Sequence, residues 1–174
     1  MILRKTSRRY GLYSVAAVTV TFAGASAAQA DDCDIVFSAF EALANAPAYS
    51  QTVSMVEMTP MQSVMIGDVF YVNPGDGWQK MTLAPAARVA MLKQFVPEAG
   101  SLSDCRKTGT ETLEGQTMDV YFYVPPVPAG MESFADAGGG QRLWVGVQDG
   151  LPHKMTAKDF EMVIAFDGVV APIP

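Results

Sequence analysis

Between Asp31 and Ala46 apolar residues return every three or four positions. Val36, Phe37, Phe40, Leu43 and Ala44 share one side of a helix that Asp31 or Asp32 can cap and that Pro47 stops. Past that proline the period changes to two. Tyr49, Gln51, Val53 and Met55 alternate with Ser50, Thr52 and Ser54, the pattern of a strand wet on one face. Thr59-Pro60 turns the chain into a second strand at about Gln62 to Val72, and Asn73-Pro74-Gly75-Asp76-Gly77 turns it again into Trp78 to Leu83. Helical spacing returns from Pro85 to Phe95 through Val89, Leu92 and Phe95, closed by Pro97 and Gly100. Strands follow near Cys105 to Leu113, Gln116 to Val124, Gln141 to Gln148, Leu151 to Ala157 and Phe160 to Val170. Their joints, Glu114-Gly115, Asp149-Gly150 and Lys158-Asp159, are hairpin-short. Only Pro125 to Gly140 is long, and a loop of that length reads as a lid or a segment folded over an opening.

These elements sum to an α+β domain: one antiparallel sheet of about eight strands, with an N-terminal helix and a second helix inserted between the third and fourth strands. Two helices supply too few apolar side chains to cover one face of so wide a sheet. The sheet is therefore expected to curl around them as a half-barrel whose interior is incompletely filled. Two strands carry an apolar stripe on one parity, Met118, Val120, Phe122 and Val124 on one and Phe160, Met162, Ile164 and Phe166 on the other. Both are candidates for the wall of a ligand cavity, with Tyr121 on the wet side.

Ahead of this domain stand Arg4, Lys5, Arg8 and Arg9, an apolar run from Leu12 to Gly24, and Ala28-Gln29-Ala30, the small-x-small pattern cut by signal peptidase. Residues 1–30 read as an export signal and 31–174 as one mature domain, periplasmic or secreted. Ser7-Arg8-Arg9-Tyr10-Gly11-Leu12 resembles the twin-arginine signal, with a glycine where that pattern favours a large apolar residue, so the Sec and twin-arginine routes both stay open. Cys33 lies beyond the cut, which argues against lipid anchoring. No segment reaches the roughly 20 apolar residues of a membrane-spanning helix, so stable membrane insertion is not expected.

After position 30 the chain carries eight basic residues against 18 acidic ones, a net charge of −10. That excludes nucleic acid and anionic membrane surfaces as natural partners. The cysteines, Cys33 and Cys105, both remain after cleavage. In an oxidising compartment they read as one structural disulfide, and neither has the Cys-x-x-Cys spacing of a redox pair.

Candidate chemistry is sparse. Met55, Met58, Met61 and Met65 form a spaced cluster of the kind that holds Cu(I) through thioether sulfur. Methionine also recurs at 81, 91, 118, 131, 155 and 162, which favours an adaptable apolar lining over a metal site. His153 is the only histidine and stands just past a turn, where a solvated side chain is expected; no triad or multi-histidine metal site can form without it. Asp68, Asp76, Asp119, Asp149 and Asp167 lie on turns or wet strand positions without a paired spacing for acid–base work. No phosphate-binding glycine loop is present. Trp78 and Trp144 read as strand packing. No catalytic residue, metal or cofactor is assigned, and the chain reads as a binding protein, not an enzyme.

Three stretches resemble the periplasmic lipoprotein-carrier superfamily, the LolA/LolB-like half-barrels and their lipid-binding relatives. They are the exported helix with its meander, the segment Gly109 to Tyr123, and Arg142-Leu143-Trp144-Val145 leading through Asp149-Gly150-Leu151-Pro152 to Lys154-Met155. The resemblance implies an open sheet with helices as a lid, sheltering a hydrophobic small molecule, a lipid or the acyl chain of a partner protein. Its inward arginine has three candidates here, Arg88, Arg106 and Arg142. The alternative reading is an envelope partner-binding module whose half-barrel is filled by its own side chains.

Overall fold

The computed structural model describes residues 25–84, 87–88, 90–91, 96–98, 100–126 and 139–174. Helix α1 runs from Ala25 to Asn45, starting earlier than the apolar spacing predicts. Asn45 Nδ2 donates back to the Glu41 carbonyl at 2.8 Å, and Pro47, without an N–H, cannot extend the helix. No described helix is long and apolar enough to cross a membrane.

Among the described residues nine strands follow: β1 (Ala48–Met55), β2 (Met61–Ile66), β3 (Val69–Asn73), β4 (Gln79–Thr82), β5 (Ser103–Leu113), β6 (Gln116–Val124), β7 (Gln141–Gly146), β8 (Pro152–Ala157) and β9 (Phe160–Ala165). They form one sheet in the order β4-β3-β2-β1-β9-β8-β7-β6-β5, every pair antiparallel. The first and last strands meet at the centre, and two meanders run outward from them. The sheet curls without closing, so β4 and β5 are its edges.

The ninth strand corrects the sequence reading. The single strand expected from Gln62 to Val72 is a hairpin, with Ile66 opposite Val69 and only Gly67 and Asp68 between them. Gly67 sits at φ +55°, a backbone that glycine adopts without steric cost, so Gly-Asp here works as a two-residue turn. Of the second predicted helix, Ala87, Arg88, Ala90 and Met91 are helical, begun by the N–H groups of Ala87 and Arg88 on the Ala84 carbonyl. The rest of that helix, and residues 127–138 of the long loop, lie outside the described residues.

Of the stretch joining β4 to β5, the described apolar residues pack on the face that α1 covers. Leu83 and Met91 pack with Ala46, Tyr49, Met65 and Ile164, whereas Val96 and Leu102 pack with Val36, Phe40, Tyr121 and Leu143. Cys33 and Cys105 are joined, their Cα atoms 5.1 Å apart, which ties α1 to edge strand β5. A second tie runs beside it: the Lys107 N–H donates to Asp32 Oδ2 at 2.9 Å.

Candidate functional site

Pairing register assigns every strand residue to a face. On the inner face, towards α1, Met61, Val53, Met162, Met155, Leu143 and Tyr121 form one row across β2, β1, β9, β8, β7 and β6. Met81, Phe70, Met65 and Tyr49 form another across β4 to β1. Methionine thus recurs along the inner face, where an unbranched, polarisable side chain fits irregular gaps.

Of the two stripes singled out from the sequence, the one on β9 lies on this face. Ile164 is buried with Tyr49 and Met65, Met162 and Phe166 pack against the same cluster, and Phe160 lies opposite Met55 at the sheet's end. The β6 stripe lies on the other side. Met118 and Val120 are buried with Trp144, remote from α1, and Phe122 and Val124 share their parity. Tyr121, expected on the wet side, and Tyr123 instead face α1; the Tyr123 ring meets Phe40 edge-on at 5.9 Å. The two stripes therefore do not border one hollow. Parity misled on β6 because its two faces are equally apolar, Tyr-x-Tyr on one and Val-x-Phe on the other, so alternation alone could not say which was inside.

Among the described residues no helix packs on the outer face of this half, and long cationic side chains lie over it. Arg106, Phe122 and Arg142 are cross-strand neighbours, with the Arg106 guanidinium 3.9 Å from the Phe122 ring centre. Arg142 and Lys154 lie 4.6 and 5.4 Å from the Trp144 ring centre, and Glu111 accepts from Trp144 Nε1 at 2.8 Å and from Arg142 at 2.9 Å. Arg and Lys stems thereby keep water off Met118 and Val120 while their charged heads stay wet.

At the far end of β1, β8 and β9 an open hollow of about 370 Å³ is lined by Met55, Val56, Ala157, Phe160 and the Lys158-Asp159 turn, with Ser54, Thr156 and Glu161 on its polar side. Met55, Val56 and Met58 beside it are exposed. Met55, Ala157 and Phe160 carry the inner parity and Ser54, Thr156 and Glu161 the outer one, so the hollow lies at the end of the sheet between its two faces.

Met65 stands apart from the other end of the methionine cluster. Met65 is fully buried opposite Tyr49, and Met55 lies six residues further along β1, about 20 Å away at strand rise. Sulfurs so spaced cannot converge on one ion. His153 is not solvated as expected: its side chain is 13% exposed, with Nε2 2.9 Å from Asp149 Oδ2 and the ring edge-on to Phe166 at 5.3 Å.

The opposite end of the inner face carries the polar groups that sequence reasoning missed. Tyr49 is buried there, which raises its phenol pKa against the opposing effect of the nearby Arg88 charge. Arg88 Nη2 donates to the Ala46 carbonyl, where α1 gives way to β1, at 2.6 Å. Ser63, on β2, is buried on the same face. Nothing in the alternation marks Ser63, since a serine among strand residues reads as wet.

No family of known proteins, and no individually curated protein, matches the chain at the level of sequence. Among solved structures it is similar to the Mycobacterium tuberculosis lipoprotein LppX, at TM-score 0.49 and 9% identity over 78% of this chain and 93% of that one. MucB, also solved in complex with MucA from Pseudomonas aeruginosa, gives TM-score 0.48 and 12% identity over 83% of this chain, which spans 62% of the MucB chain. A LolA superfamily protein from Nitrosomonas europaea gives TM-score 0.31 and 10% identity over 84% of this chain and 95% of that one.

Proposed function

We propose that this is an exported, non-enzymatic protein that binds a hydrophobic ligand, a lipid or the acyl chain of a partner protein along the inner face of its open sheet. The observation that carries this reading is the apolar, methionine-rich inner face ending in exposed Met55, Val56 and Met58 beside an open hollow. Exposed apolar side chains gathered at a concavity mark binding surfaces on soluble proteins. Within this reading the β9 stripe, with Phe160 at the mouth, is the ligand wall, and the β6 stripe packs the outer face.

The test is uptake of a fluorescent fatty-acid methyl ester. Phe160→Arg places a charge at the mouth and is expected to abolish uptake. Phe122→Arg, on the outer face, is expected to leave uptake within about twofold, with circular dichroism confirming that both variants fold. Equal loss in both variants would refute the assignment of the site.

A second reading has its own support. The inner face is well filled where α1 crosses it, with Val36 and Leu143 fully buried. A partner-binding envelope module would use the same exposed rim to hold a protein and would take up no ester in any form of the chain.

A further inference from the structure

The sulfur atoms of this chain divide by their access to solvent. Both cysteines are joined to each other, so the thioethers are what an oxidant outside the cell meets. Among the described residues three methionines are exposed, Met58 at 60%, Met81 at 46% and Met55 at 41%, whereas Met65 and Met118 are 0% and 1% exposed. Backbone hydrogen bonds hold Met55 and Met58 where they stand. The Met58 N–H donates to the Met55 carbonyl at 3.2 Å with Glu57 at φ +64°, a closed turn that keeps the two Cα atoms within about 7 Å. Between them the Val56 N–H donates to the Asp159 carbonyl at 3.3 Å, which fastens this turn to the Lys158-Asp159 hairpin lining the hollow. Met81 lies elsewhere, on edge strand β4 opposite Phe70, in the row that reaches β1 at Tyr49, six residues from Met55.

A thioether has no proton to lose before it reacts, so access decides which one is oxidised. Its sulfur lone pair takes one oxygen of hydrogen peroxide, the O–O bond breaks, and the other oxygen leaves as water with both hydrogens; the sulfur, oxidised by two electrons, becomes a sulfoxide. Glu57 in the turn, with Asp159 and Glu161 beside the hollow, outnumbers Lys158, which favours an uncharged peroxide over an anionic oxidant. Position then decides the consequence. At Met65 or Met118 a sulfoxide would sit in the core and act on folding, but at Met55 and Met58 water solvates it and the fold is spared. An apolar ligand at the hollow offers that oxygen no donor, so contact would strip its water without replacement. Methionine sulfoxide reductases return the product to the thioether.

We infer that Met55 and Met58 form an oxidation site at the rim of the hollow, where conversion to sulfoxides by a peroxide turns the apolar rim polar and shuts off ligand uptake while the protein stays folded. The effect on uptake rests on the carrier reading above; the selectivity of the oxidation does not.

The experiment treats purified protein with hydrogen peroxide and follows, by peptide mass, the rate at which each methionine gains an oxygen. Met55, Met58 and Met81 are expected to react at least about tenfold faster than Met65 and Met118, with circular dichroism unchanged. Rates at Met55 and Met58 no higher than at Met65 would overturn the inference at its chemical step. Uptake of the fluorescent fatty-acid methyl ester is then compared between each protein and its own untreated form. Peroxide should weaken uptake at least about fivefold in the unaltered protein and in Met81→Leu, but less than about twofold in Met55→Leu/Met58→Leu, where no sulfur remains at the turn. An equal loss in the double variant would overturn the inference, and so would undiminished uptake by protein carrying both sulfoxides; either result leaves the carrier reading standing. Untreated protein that takes up no ester would remove the carrier reading and the control of uptake with it, a failure seen before any oxidant is added.

Discussion

Tyr123 is 1% exposed, its hydroxyl donating to Gln141 Oε1 at 2.6 Å with Met155 Sδ 3.1 Å away. Burial in that setting disfavours the phenolate and pushes its pKa far above that of a free tyrosine; Tyr49 and Tyr121 are raised by the same cause. The sign for stability follows. Unfolded tyrosine loses its proton near pH 10 while folded Tyr123 keeps its own, so the contribution is complete below pH 10 and is lost as pH rises beyond it. Urea unfolding between pH 8 and 11 is expected to show stability falling above pH 10, by up to about 1.4 kcal/mol per pH unit for each tyrosine so held. Tyr123→Phe should make that decline shallower. A decline as steep in the variant would show that other groups cause it. Elsewhere single residues are fixed by space: a side chain at Gly140 would run into the Phe122 ring, which already carries Arg106 on one face.

Among the elements, α1 has the fewest neighbours of its own in sequence and depends on ties to a distant strand. Val36, Ala39 and Phe40 are buried against Tyr121, Tyr123 and Leu143, and the disulfide joins Cys33 to Cys105 on β5. Cys33→Ser is expected to cost up to about 4 kcal/mol, because the bridge closes a long loop in the unfolded chain. An unchanged thermal midpoint would show the bridge to be irrelevant to stability. The β5–β6 hairpin carries a smaller, opposite opportunity. Glu114 at φ +52° and Gly115 at φ +84° form its two-residue turn, a geometry that asparagine tolerates better than glutamate at the first position. Glu114→Asn should therefore stabilise the protein by about 1 kcal/mol, read as a rise in urea midpoint with unchanged slope.

At the scale of the whole molecule, the proposed maturation cut lies inside α1 as it stands, since the helix spans Ala25 to Asn45 and the small-x-small pattern ends at Ala30. Asp32 and Cys33, the residues that tie the helix to β5, both fall after the cut. Secreted protein is expected to have the mass of Asp31 to Pro174 less two hydrogens. A lipid-modified mass beginning at Cys33 would contradict both the cleavage site and the bridge. The nine described strands form one curled, unclosed sheet with β4 and β5 at its ends. On β5 one N–H is occupied by Asp32, and bulges between Ser103 and Arg106 and between Lys107 and Gly109 interrupt its regular pairing, both of which discourage edge-to-edge association.

Local pattern was enough for much of this. Periods of three to four and of two marked α1 and most strands, and Glu114-Gly115 and Lys158-Asp159 marked their hairpins, because helix spacing, strand alternation and turn chemistry are properties of neighbouring residues. The pairing of Cys33 with Cys105 was equally legible, there being no other cysteine to join. Local pattern failed where two answers were locally equal. Gly67-Asp68 within an apolar run was read through as one strand, and β6, apolar on both parities, was assigned the wrong inner face. Which side of β6 meets α1 depends on the meeting of β1 with β9 at the sheet's centre, a contact between the two ends of the domain that no window of sequence contains. The same long-range pairing leaves Ser63 buried on the face of Tyr49 and Met65. That burial depends on what packs over the strand, which only the tertiary structure decides.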